Sequence, residues 1–224
     1  GKSSEIYVPK LKAYSIMDVK DALFDILGKT DFDRMADHEI RENIQSLKTL
    51  MLKLYKRNPS ELKKSTSEDP EKMVNWVFNG NHNWNFEAIN NAQGTDAMYL
   101  TFSEDYKGDK VLPFIVGIYT MLIKAHGGKK EFYLFDSVDP QLLYNASRNI
   151  ETAVWKLSNA KDSSGKSFLL ANEINEKESN LSFEREFGKI IGRTDFLAFT
   201  LSEKTERSIT RIIQNITTGL FIPI

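Results

Sequence analysis

The sequence predicts an all-α protein, a single-domain bundle of about seven helices around a central apolar helix at about residues 113–125, with little or no β-structure. Apolar residues recur at helical spacing through most of the 224-residue chain. Asp-Pro pairs at 69–70 and 139–140 combine a helix N-cap with the proline that the first helical turn accepts. No long stretch alternates polar and apolar residues as a half-buried strand would.

Two helices are predicted before residue 58. Ser15 begins the first one, and Gly28 ends it in a left-handed cap. Residues 30–31 cap the second helix, which runs to about Arg57. Pro59 then ends that helix, because a proline disfavours helical geometry in the residue before it.

The middle of the chain carries fewer signals. Residues 59–69 are polar and are predicted to form a surface connection, and a short helix follows from Pro70 to Phe78. Residues 79–110 have no clear period, so a loop is expected there, with one short helix near residues 86–91. The central helix follows and ends at the glycine pair 127–128.

The last third of the chain is predicted to be helical again. Residues 131–135 read as a short strand or one helical turn, and a long helix begins at Pro140. Residues 161–165 form a polar break, and two further helices are expected at 172–191 and 201–217. The core face of the last helix is predicted to hold Ile209, Ile212, Ile213, Ile216 and Leu220.

A near-repeat occurs at residues 28–32 and 192–196, where Gly-Lys-Thr-Asp-Phe is matched by Gly-Arg-Thr-Asp-Phe. In each copy the glycine is predicted to end a helix and the threonine or aspartate to cap the next. The flanking residues differ, so shared capping chemistry and an ancient duplication both remain open. No linker forces a boundary, and the chain is predicted to be one domain over 1–224, with 1–110 and 111–224 as the alternative.

Composition excludes several classes of function. The chain has 30 Lys and Arg against 31 Asp and Glu, which argues against a nucleic-acid partner bound through overall basicity. It has no cysteine, so disulfides and thiolate chemistry are excluded. No spacing of histidine and carboxylate suggests a metal site, and no cofactor is expected. The longest apolar run, residues 111–123, is shorter than the about 20 residues that a transmembrane helix needs.

The two ends of the chain raise the question of location and assembly. The chain begins at Gly1 without an initiator methionine, and from this we expect an exported protein that has lost an upstream segment. The predicted location is periplasmic or tethered to the envelope by an upstream lipid, with the cytoplasm as the alternative. The apolar residues 220–224 must dock on the protein's own core or on another chain, which would allow a homo-oligomer.

Known catalytic motifs are absent or incomplete. Residues 160–167 resemble a phosphate-binding loop, but the residues before them continue a helix where that loop needs a strand. His38 and His126 lie near helix ends, where capping explains them. The remaining histidine, His82, gives an enzymatic alternative, a small hydrolase or lyase in which it works with Glu87 or Asp96.

The most unusual segment is 75–91, which holds 7 of the 16 asparagines among several aromatic residues. One interpretation is a structured loop, because asparagine accepts left-handed backbone and aromatic rings anchor a loop to the core. The other is a site for a sugar or another polar ligand, because amides donate and accept while tryptophan offers a flat face. The ligand-binding candidates are Trp76, Asn81, His82, Asn83 and Trp84.

The leading hypothesis from the sequence is a non-enzymatic helical binding or scaffold module. Its partner is an unidentified protein or a small polar ligand. The hydrolase or lyase around His82 and the sugar binder built on the asparagine and tryptophan cluster are the two alternatives.

Overall fold

A computed structural model describes residues 16–128, 138–171, 182–212 and 216–224, with side chains described from residue 31 onward. These ranges contain seven α-helices and no β-strand, so the predicted all-α class is confirmed. The helices are α1 (Ile16–Arg57), α2 (Pro59–Ser65), α3 (Pro70–Asn79), α4 (Gly94–Thr101), α5 (Val111–Ala125), α6 (Pro140–Asn159) and α7 (Ser182–Thr205). None of them is both long and apolar enough to cross a bilayer. The expected strand or turn at 131–135 lies outside the described residues.

The central apolar helix is present as α5. Most of its side chains are buried, and it contacts α1, α4 and α6. It begins beside Asp109, whose Oδ1 accepts the Val111 amide at 2.9 Å, and ends at His126 and Gly127.

The two Asp-Pro helix starts are confirmed as well. Asp69 accepts a hydrogen bond from the Lys72 amide at 2.8 Å, and Asp139 from the Gln141 amide at 2.9 Å.

The predicted helix break at Gly28 is wrong, because α1 runs without interruption from Ile16 to Arg57. Phe32, Ala36 and Ile40 are buried and continue the same apolar stripe as the residues further along the helix. That stripe packs against α7. Burial of a continuous stripe outweighs the roughly 1 kcal/mol that an interior glycine costs a helix.

The predicted break at Gly192 is wrong for the same reason, because α7 runs without interruption from Ser182 to Thr205. Residues 172–181 of the first expected helix lie outside the described residues. Thr194 caps nothing. It is fully buried, and its hydroxyl donates to Glu39 Oε1 at 3.2 Å. Phe196 anchors no corner, since 63% of its surface is exposed. Both copies of the near-repeat therefore lie inside long helices rather than at corners.

Beyond the end of α7, the described part of 201–217 holds no α-helix, and a 3₁₀ turn is found at Ile216–Thr218. The helix ends at Thr205 because Glu206 takes a left-handed conformation (φ +54°), and the Arg207 amide bonds back to the Ser202 carbonyl at 3.2 Å. The predicted core face is wrong at Ile212 and Leu220, which are exposed, whereas Ile209 is partly buried and packs against the core. Sequence patterns missed this stop because no glycine marks it.

Two short helices were not predicted. Helix α2 occupies part of the expected polar connection, and Pro59 begins it rather than only ending α1. Asn58 joins the two helices to a distant loop, since its amide accepts from the Leu170 amide and donates to the Leu170 carbonyl, both at 2.8 Å. Helix α4 lies in the region that was expected to be a loop. A 3₁₀ turn, Glu87–Ile89, is found near the predicted short helix.

The apolar C-terminal segment docks on the protein's own core. Asn149 on α6 holds the backbone of Ile222 from both sides, accepting from its amide at 2.7 Å and donating to its carbonyl at 2.8 Å. Asn145 donates to the Pro223 carbonyl at 3.2 Å. The Phe221 amide donates to the Tyr99 hydroxyl at 2.9 Å, and the two rings lie 4.7 Å apart.

Replacing Asn149 with alanine is expected to lower the free energy of unfolding by about 1–2 kcal/mol, because two hydrogen bonds to the Ile222 backbone are lost. The segment should then be cut faster by a protease of broad specificity. Asn159→Ala is the matched control, since Asn159 is exposed on the same helix and, among the described residues, bonds to the Trp155 carbonyl alone. Equal behaviour of the two variants would contradict the role assigned to Asn149.

Candidate functional site

The segment 75–91 forms the end of α3 and a tight loop that leads towards α4. Asparagines supply much of its left-handed backbone, at Asn83, Asn90 and Asn91. Trp84 is also left-handed, with φ +59°, which is strained for a bulky side chain. A stack on Tyr119 holds it there, with ring centroids 3.5 Å apart and planes inclined by 12°. The loop is therefore fixed to α5 by an aromatic pair.

His82 connects this loop to α3 through two hydrogen bonds. Its Nδ1 accepts the Trp84 amide at 3.0 Å, so its Nε2 carries the proton and donates to the Trp76 carbonyl, also at 3.0 Å. The Phe86 ring lies 4.2 Å from the imidazole. No carboxylate contacts His82 within the described ranges. Both ring nitrogens are thus engaged by backbone groups in the neutral tautomer.

A cavity lies between the first turn of α4 and the second half of α5. We call it the α4–α5 cleft; its volume is about 520 Å³. Its walls are formed by Asn83, Trp84, Gln93, Gly94, Thr95, Asp96, Tyr119, Thr120, Met121, Ile123, Lys124, Gly128 and Ile224. Ile224 comes from the docked C-terminal segment, so that segment completes one wall.

Helix α4 approaches α5 closely next to the cleft. A Cβ added at Gly117 would lie 2.7 Å from the Gly94 carbonyl oxygen and 2.9 Å from the Met98 amide nitrogen. The Gly94 amide donates to the Thr120 hydroxyl at 2.8 Å, and that hydroxyl donates to the Val116 carbonyl at 2.7 Å. The two helices are therefore held together by a hydrogen bond between Gly94 and Thr120, which both line the cleft.

The two charged residues of the cleft, Asp96 and Lys124, are of opposite sign. Asp96 lies in the first turn of α4 and Lys124 in the last turn of α5, and both are exposed. Neither side chain forms an ion pair or a hydrogen bond with any part of the chain that the structure describes. The cleft thus presents one carboxylate and one ammonium group that have no partner among the described residues.

A second cavity lies on the other side of the loop and has a volume of about 410 Å³. We call it the Trp76 cavity, because Trp76 forms one wall and is 50% exposed. His82, Asn85 and Glu87 also line it, together with Ser65, Tyr106 and Asp109.

Asp109 is the most strongly bonded carboxylate of the Trp76 cavity. It accepts from the Tyr55 hydroxyl at 2.6 Å and the Ser65 hydroxyl at 2.7 Å, besides capping α5. Burial raises the pKa of Asp109, although these donors lower it in part. Burial and the nearby Asp109 raise the pKa of Tyr106 to about 12. Because its oxygens are occupied by these donors, Asp109 is part of the fold rather than a free acid.

The structure divides the predicted site residues between the two cavities. Trp76, His82 and Glu87 line the Trp76 cavity, whereas Asn83, Trp84 and Asp96 line the α4–α5 cleft. Asn81 is exposed at the turn and lines neither. The three catalytic candidates His82, Glu87 and Asp96 are therefore not brought into one cavity. Sequence reasoning missed four residues of the cleft, namely Gln93, Tyr119, Lys124 and Ile224. The one signal for them in the sequence was the position of Lys124 directly after the apolar run.

A buried polar cluster joins α1, α5 and α7. Glu39 is 6% exposed and His126 is 1% exposed, and their Oε2 and Nε2 atoms lie 2.6 Å apart. The His126 Nδ1 donates to the Leu122 carbonyl at 2.6 Å, while Glu39 Oε1 also accepts from Asn43 and Thr194. Burial alone would lower the pKa of His126, but the Glu39 carboxylate outweighs it and raises that pKa. The predicted helix-end histidine is thus also half of a buried ion pair.

The segment that resembles a phosphate-binding loop is a closed polar turn. Asp162 Oδ1 accepts the amides of Ser164 and Lys166, each at 2.9 Å. The backbone donors that would face a phosphate are therefore used within the turn. In the described ranges, no group of three or more His, Asp or Glu side chains is arranged to hold a metal ion.

Comparison of the chain with known protein families, with curated proteins and with solved structures found no match.

Proposed function

We propose that the chain is a non-enzymatic binding module that takes a small polar ligand in the α4–α5 cleft. The observation that carries the proposal is the content of this one cavity. It joins a carboxylate and an ammonium group that no described residue pairs with, the side chains of Asn83 and Gln93, and the Trp84–Tyr119 stack. Its volume of about 520 Å³ lies in the range typical of small-molecule sites.

The geometry favours binding over catalysis. A general base needs a nitrogen or oxygen that is available to a reacting group. Both nitrogens of His82 are instead engaged by backbone groups, and Asp96 lines a different cavity. The hydrolase or lyase alternative stays a prediction from the sequence.

A sugar in the Trp76 cavity is the second candidate. Half of the Trp76 surface is open to solvent, and Asn85 and Glu87 lie beside it. An exposed indole face next to polar side chains is a suitable platform for the apolar face of a pyranose ring.

The envelope location, the upstream lipid tether and a homo-oligomer formed through the C-terminal segment also stay predictions. Fractionation of the source cells measures the location. Light scattering on the purified chain measures the oligomeric state.

A ligand screen by thermal unfolding tests the binding function. A panel of sugars, amino acids, amines and carboxylates is offered to the full chain at millimolar concentration. A ligand present at 100 times its Kd adds about 2.7 kcal/mol to stability, which raises the Tm of a protein of this size by about 5–10 °C. We expect at least one compound to produce such a shift.

Two variants assign the site of any hit. Thr95→Trp fills the α4–α5 cleft and should abolish binding there, whereas Trp76→Ala should abolish binding in the Trp76 cavity. In the double variant Trp76→Phe, Trp155→Phe, Trp84 is the one remaining tryptophan. Its fluorescence should change when a cleft ligand is added. Silence across the panel, or a hit that Thr95→Trp leaves unchanged, would contradict the proposed cleft.

A further inference from the structure

We infer that the ligand of the α4–α5 cleft is a zwitterionic amino acid with an apolar side chain. This inference rests on the proposed function and names the class of ligand for the same site. It is carried by the charges of the cleft walls and by the apolar groups next to them.

The charges select for a zwitterion. Asp96 and Lys124 are the charged residues among those that line the cleft, and they come from different helices. A simple anion would be attracted by Lys124 but repelled by Asp96. A simple cation would be attracted by Asp96 but repelled by Lys124. A molecule with both an ammonium and a carboxylate group gives each side chain a partner, through hydrogen bonds strengthened by charge.

Some lysines of this surface have protein partners, whereas others, such as Lys63, have none among the described residues. Lys64 pairs with Glu61 at 2.9 Å, and Lys56 pairs with Glu71 at 2.9 Å. Lys110 donates to the carbonyls of Ser103 and Tyr106, at 2.7 and 2.8 Å. Lys124 differs from all three, because no described protein group occupies its ammonium.

Apolar groups beside the charges favour an apolar side chain on the ligand. Ile123 and Ile224 line the cleft together with the Trp84–Tyr119 stack. Tyr119 and Ile123 also line an adjoining cavity of about 210 Å³, whose other walls include Ile40, Ile44 and Phe78. An aliphatic or aromatic side chain of the ligand that packs on Ile123 would be removed from water, which is favourable. The two charged groups of the ligand would then stay next to Asp96 and Lys124.

Calorimetry with three matched compounds tests the inference on the full chain. Leucine carries both charges, 4-methylpentanoate lacks the ammonium group and 3-methylbutylamine lacks the carboxylate. We expect leucine to bind at least about tenfold more tightly than either analogue, because each analogue leaves one charged wall without a partner.

Two nearly isosteric variants assign the charges. Asp96→Asn should remove the preference for leucine over 4-methylpentanoate, and Lys124→Gln should remove the preference over 3-methylbutylamine. Asp105→Asn is the matched control, an exposed carboxylate outside the cleft that should leave all three affinities unchanged. Because all three substitutions are at exposed positions, unchanged thermal unfolding should accompany them.

The outcomes separate this inference from the proposed function. Equal affinity for the three compounds would overturn the inference that the ligand is a zwitterion. An unchanged preference for leucine over both analogues in the two charge variants would also overturn it. If amino acids are silent while a neutral compound binds and Thr95→Trp abolishes that binding, the zwitterion is wrong and the cleft remains a binding site. If no compound of either experiment binds, both proposals fail.

Discussion

Replacing Glu39 with alanine is expected to lower the free energy of unfolding by about 3–5 kcal/mol, the largest effect we predict for a single substitution. The change leaves His126 buried without its carboxylate partner, which lies 2.6 Å away in the wild-type chain. It also removes the acceptor used by Asn43 and Thr194. Denaturation by urea measures the loss.

A neighbouring glutamate provides the control for this variant. Glu42 lies on the same helix, is partly exposed and is 3.8 Å from Arg193, so Glu42→Ala should cost less than about 1 kcal/mol. The double variant Glu39→Met, His126→Phe removes both partners of the pair and should lose less stability than Glu39→Ala alone. A Glu39→Ala chain as stable as Glu42→Ala would refute the buried ion pair.

The same pair makes stability depend on pH in a defined direction. Because the folded-state pKa of His126 is raised, its contribution is fully present below the unfolded value of about 6.5. It is lost as the pH rises through the raised folded-state pKa. We expect this loss in urea titrations of the wild-type chain and not in His126→Gln. An identical pH dependence in the two chains would show that other groups cause it.

Gly117→Ala is expected to lower the free energy of unfolding by about 1–3 kcal/mol, although alanine is the better helix former. The added methyl group would lie 2.5 Å from the Met98 Cγ atom and 2.7 Å from the Gly94 carbonyl oxygen. The backbone of α4 must then move away from α5. Since α4 forms one wall of the cleft, ligand affinity should fall together with stability.

Gly192→Ala is the matched control, with an effect of the opposite sign. Gly192 is also inside a long helix, but it is exposed and a Cβ there meets nothing within 4 Å. Alanine at this position should add about 0.5–1 kcal/mol to stability through helix propensity. If both variants gain stability, the close packing of α4 on α5 at Gly117 is contradicted. Thermal and urea unfolding of the two purified variants decides the question.

Local signals predicted much of the fold. The Asp-Pro pairs at 69–70 and 139–140 mark two helix starts because their effect depends only on the first helical turn. The central helix α5 was predictable because its apolar run is too continuous for any exposed element. By contrast, α4 begins at Gly94 without a side-chain cap, and no local pattern announced it.

The candidate site was predictable only in part. The asparagine and tryptophan segment predicts Asn83 and Trp84 as site residues, and the expected pairing of His82 with a carboxylate predicts Asp96. The residues that complete the cleft, such as Lys124 and Ile224, are distant in sequence and meet only after α5 and the C-terminal segment have packed. The division of His82 and Asp96 between two cavities depends on the same packing.

The sequence by itself determined the helical class, the buried central helix and the absence of thiol chemistry, because periodicity, apolar content and residue type are local properties. Tertiary structure alone decided that the chain continues as helix through Gly28 and Gly192, because long apolar stripes bury against one another there. It also decided that Glu39 meets His126, 87 residues away, and that Asp96 and Lys124 share one cleft. Each of these depends on the free energy of contacts between distant segments, which no local pattern contains.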